Sequence, residues 1–65
     1  MEKILFNLAY IHLLTFCREN NINTEGTHVI KTPRKYWYTL VKSSTFEHVA
    51  TVMFHKNSTP KYIIH

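Results

Sequence analysis

The sequence predicts an α+β fold: an N-terminal helix packed on a three- to four-stranded antiparallel meander, in the order α-β-β-β-β, with residues 1–65 as a single domain. Three observations carry this. Apolar residues before Arg18 recur with helical period, and those after Gly26 alternate with a period of two. The stretches between the alternating runs are short, and short connections join antiparallel neighbours.

The helix is expected from Glu2 to Arg18 or Glu19, roughly 25 Å at 1.5 Å per residue. Glu2 near its start and Arg18 near its end suit the helix dipole. Asn20-Asn21-Ile22-Asn23 follows, and asparagine tolerates the left-handed conformation that stops a helix. At about 100° per residue, Leu5, Phe6, Ala9, Tyr10, Leu13, Phe16 and Cys17 share one wide face, an ordinary core stripe. A second set, Ile4, Leu8, Ile11 and Leu14, falls among polar positions, which a helix lying on one sheet does not need. These four are the expected contact of a homodimer.

The first strand is expected over Thr27 to Thr32, ended by Pro33. Lys35 to Lys42 is the second, with Tyr36, Tyr38 and Leu40 opposed to Trp37, Thr39 and Val41. Ser43 to Glu47 is a turn. His48 to Lys56 is the third strand, and Asn57-Ser58-Thr59-Pro60 a turn by composition. Lys61 to His65 closes the chain as a short edge strand, and the first or last strand is the one a smaller sheet would lack.

Sixty-five residues bury only about 60% of the unfolded surface, so such a chain needs help to be stable. Cys17 is the single cysteine, which excludes an internal disulfide and reads as a small buried hydrophobe in a reducing compartment. His12, His28, His48, His55 and His65 have no metal-finger spacing, so no metal is expected. Self-association remains. Ile4 to Cys17 is apolar at 11 of 14 positions, too short for a bilayer, and Met-Glu-Lys is a poor secretory start. A soluble, cytoplasmic protein is expected.

The net charge is +4, unevenly spread. In residues 1–26, Lys3 and Arg18 against Glu2, Glu19 and Glu25 give −1; in residues 27–65, Lys31, Arg34, Lys35, Lys42, Lys56 and Lys61 against Glu47 give +5. A positive strand half on a nearly neutral helix points to a polyanionic partner: nucleic acid, an acidic protein face or anionic lipid. Lys31-Thr32-Pro33-Arg34-Lys35-Tyr36-Trp37-Tyr38 sets three cations beside three aromatics, suited to phosphates and unpaired bases respectively. Lys42 and Lys56 extend this set, and Lys61 lies beside the later strands.

Catalytic constellations are absent from the pattern. The four glutamates are dispersed, there is no aspartate, and His12 and Cys17 point to different sides of the helix. The expectation is a non-enzymatic binding protein without a cofactor. Its strand face would contact nucleic acid, as RNA or single strands. The alternative partner is an acidic host protein: richness in Lys, Asn, Ile, Tyr and Thr resembles phage and viral accessory proteins that inhibit host proteins, which would place it in host cytoplasm. Gly26-Thr27-His28-Val29-Ile30 resembles the glycine–serine–histidine strand of HicA-type toxins that cleave messenger RNA. That resemblance implies a double-stranded-RNA-binding-like fold with His28 as catalytic histidine. It covers five residues, has Thr27 in place of serine, and lacks the family's C-terminal helix.

Overall fold

A computed structural model describes residues 2–56 and 59–65, with side chains from Leu5 onward. Its order is α1 (Glu2–Glu19), β1 (Thr27–Lys31), β2 (Trp37–Lys42), β3 (His48–Met53) and β4 (Lys61–Ile64). The strands form one antiparallel sheet in sequence order, and α1 packs across one of its faces. This is the expected α-β-β-β-β meander, with both terminal strands present.

The helix ends as its asparagines suggest. Asn21 has φ 58°, the left-handed region. Its N–H donates to the Arg18 carbonyl at 3.2 Å and that of Ile22 to the Cys17 carbonyl at 2.8 Å. Together these form a Schellman stop, with Ile22 turned back onto the core. Tyr10 departs from the expected stripe and is 44% exposed. It stands at the rim of the arc centred between Ala9 and Leu13, where a single sheet no longer covers it.

Paired residues across strands share a face, so Tyr38 and Leu40 of β2, Ala50 and Val52 of β3, Val29 of β1 and Tyr62 of β4 all lie toward the helix. Against them pack Ala9, Leu13 and Cys17, each fully buried. Tyr38 sits at the centre, edge-to-face with Phe6 (centroids 5.4 Å) and Phe54 (6.0 Å). Phe16 stacks flat on Tyr62 at 4.3 Å, and the Tyr62 hydroxyl meets His12 Nδ1 at 3.3 Å.

Strand β2 begins at Trp37 rather than Lys35. Tyr36 occupies the β1–β2 turn with φ 65°, so the alternation starts two residues later than the sequence pattern suggests. Between Leu40 and Val41 the register to β3 slips, leaving Val49 without a β2 partner, a bulge that bends the sheet end. The turn expected at Asn57 and Ser58 lies outside the described residues. Of the residues expected at a dimer contact, Leu8 and Ile11 are 42% and 59% exposed, Leu14 is half-buried, and the Ile4 side chain lies outside the described residues. Among the described residues no helix is long and apolar enough to cross a membrane.

Two outcomes follow for stability. In urea titrations Leu13→Ala should cost about 2–5 kcal/mol, the usual range for truncating a buried leucine. Ile11→Ala, at an exposed site, should stay within about 0.5 kcal/mol in the monomer. Burial pushes the Cys17 thiol above its ordinary 9.0, and burial, then the nearby Glu19 charge, pushes the Tyr62 phenol above 10.0. A group held protonated by the fold stabilises it fully below its unfolded value, and that contribution fades as pH climbs through the folded value. Thermal midpoints should therefore fall above about pH 9, and less steeply in Cys17→Ala.

Candidate functional site

A meander places alternate connections at the same end of the sheet. The β1–β2 turn (32–36) and the segment between β3 and β4 (54–60) lie together, and the helix–β1 connection (20–26) and β2–β3 turn (43–47) lie at the opposite end. The helix enters at the first of these ends, where Leu5 lines a pocket with Tyr36, Phe54, His55 and Lys56.

This ordering sorts the charge. Lys31 closes β1, Arg34 and Lys35 are in the turn, Lys56 follows β3 and Lys61 opens β4, so five cations share the hairpin end. The carboxylates whose side chains are described, Glu19, Glu25 and Glu47, belong to the other end. Lys42 is at that far end as well, its Nζ 3.8 Å from Glu47. Both partners are exposed, so the pair contributes little to stability, yet it takes Lys42 away from the cluster.

The aromatic run divides three ways. Tyr36 is 46% exposed in the turn, with Lys35 Nζ 5.5 Å from its ring centroid. Trp37 lies on the sheet face away from the helix, half-covered by Arg34, whose guanidinium is 4.7 Å from the indole centroid. Tyr38 is 1% exposed beneath the helix. It cannot meet a partner, and the reason is parity: one residue of each adjacent pair on a strand must turn inward.

The turn that carries Arg34 is tied by Thr32. Its N–H donates to the Trp37 carbonyl at 3.2 Å, its hydroxyl donates to the same carbonyl at 3.0 Å, and it accepts from the Arg34 N–H at 3.2 Å. Thr32 is thus a positioning residue that composition alone does not single out. Lys61 and His55 also join this end through topology, which the linear spacing conceals.

Histidine His28 donates or accepts at Ser43 Oγ through Nδ1 (2.7 Å), and its ring stands edge-on to Phe46 at 5.7 Å. It occupies the far end with Lys42, away from the cation cluster, and no helix follows the strands among the described residues. Nor do three metal-ligating side chains gather anywhere among them. Comparison with protein-family models, with curated proteins and with solved structures finds no match.

Proposed function

We propose that this chain is a small basic binding protein, without catalytic activity, whose hairpin end contacts the phosphates of RNA or single-stranded nucleic acid. The observation that supports this is the segregation of charge: Lys31, Arg34, Lys35, Lys56 and Lys61 share one end while Glu19, Glu25 and Glu47 share the other. A concentrated positive field attracts a polyanion and orients it on approach. Tyr36 and Trp37, carried by the same turn, supply aromatic surface beside the cations. Nucleic-acid affinity of this kind depends on counterion release, so its salt dependence counts the phosphates engaged.

At low salt the protein should bind mixed RNA and DNA. Substituting Arg34, Lys35 and Lys56 together by alanine should reduce the slope of log affinity against log salt by about two to three. Lys42→Ala, already paired at the far end, should leave the slope unchanged. Undetectable binding at low salt, or equal damage from Lys42→Ala, contradicts the reading.

A second reading is an accessory protein of the phage or virus type that inhibits a host protein in its cytoplasm. It draws support from the outer edges of β1 and β4, which pair with no further strand among the described residues, and from Phe46 and Ile64, 63% and 54% exposed. Capture of a host protein that survives nuclease treatment would favour it. Self-association through Leu8, Ile11 and Leu14, with Ile4, accompanies either reading. Sedimentation at high micromolar concentration should give twice the chain mass, and one chain mass argues against the dimer.

A further inference from the structure

The sheet face opposite the helix holds a groove of about 320 Å³, and the geometry points to it as a site for an unpaired nucleotide base. This rests on the hairpin end being a phosphate-binding surface, because Arg34 belongs to both. The groove runs along the strands from Arg34 and Trp37 to His48 and His65, over a floor of Thr39 and Thr51. From the Trp37 row to the Val41 row is four residues, about 13 Å of strand. The volume falls at the small end of ligand clefts, which span about 300–1,000 Å³.

The floor makes no polar demand of its own. Thr39 and Thr51 are 1% and 4% exposed, with their hydroxyls 2.9 Å apart. Thr51 Oγ1 is in turn 2.6 Å from His65 Nε2. Thr39 donating to Thr51, and Thr51 donating to His65 Nε2, gives both buried hydroxyl protons an acceptor within this chain. In that arrangement His65 accepts at Nε2 and presents an N–H at Nδ1.

Both ends of the groove carry ring side chains. At one, the indole of Trp37 carries the Arg34 guanidinium at 4.7 Å. At the other, the rings of His48 and His65 stand edge-on with centroids 5.4 Å apart. Ile63, 40% exposed, gives an apolar side, and Lys61 shares this face through its pairing with Met53. Ring surfaces for stacking, an N–H donor for a base carbonyl and cations for the adjoining phosphate form one set. A duplex hides its base faces in the stack, so this arrangement selects single strands. A strand resting on the hairpin end would enter past Arg34.

Trp37 is the only tryptophan, so its emission reads the groove directly. Titrate the full chain at low salt with a mixed-sequence single-stranded RNA of about ten nucleotides, and separately with its duplex. Single strands should quench Trp37 and bind about tenfold tighter than the duplex. His48→Ala and His65→Ala, both at exposed positions with the fold checked by circular dichroism, should each erase most of that preference. Duplex affinity and the salt slope should be unchanged in both. Single-strand binding with unaltered Trp37 emission, or a preference untouched by both substitutions, overturns the groove while leaving the hairpin end in place. Failure of both RNA forms to bind at low salt overturns the two together.

Discussion

The inward turn of Tyr38 is the constraint on which the rest of this structure depends. One helix can dry only one face of a four-stranded sheet, and the ring of Tyr38 fills the centre of that contact between Phe6 and Phe54. Large aromatic burial of this kind is worth several kcal/mol in a chain whose total margin is small. Once Tyr38 points inward, a period of two sends Trp37 and Thr39 to the other face. Pairing then aligns Met53 and Lys61 with Trp37, and Thr51 and Ile63 with Thr39. The composition of the open face is therefore a consequence of where the core closes.

The centre of that open face is polar, yet its two threonines are almost fully buried. Thr39 and Thr51 satisfy each other and His65. A single mismatched hydroxyl there would carry a desolvation penalty of about 1–3 kcal/mol. The hydrogen-bonded floor and the apolar core beneath the helix are the two sides of the same two strands. Their opposite chemistry fixes the register, since a slip by one residue would exchange them.

Much of this was legible in the amino-acid pattern, and the remainder failed for identifiable reasons. The helix length, its asparagine stop and the division of β2 into Tyr38 and Leu40 against Trp37, Thr39 and Val41 follow from periodicity. Which set faced the helix did not, because both sets are apolar enough to bury. Tyr36 adopts positive φ without being glycine, so the β1–β2 turn took a residue that β propensity alone assigns to a strand. The linear pattern places the charge cluster on a strand face. It is an end, assembled from two connections distant in sequence, and only the meander brings Lys56 and Lys61 to Arg34 while sending Lys42 to Glu47.

The parity of β2 is accessible to one direct measurement: nuclear Overhauser contacts in the isotope-labelled chain. The account predicts contacts from the Tyr38 ring to Phe6 and Phe54, and contacts from the Trp37 indole to Met53 and Arg34 with none to the helix. Contacts between Trp37 and Ala9 or Leu13 would invert the strand, exchange the two faces and contradict the account at its root.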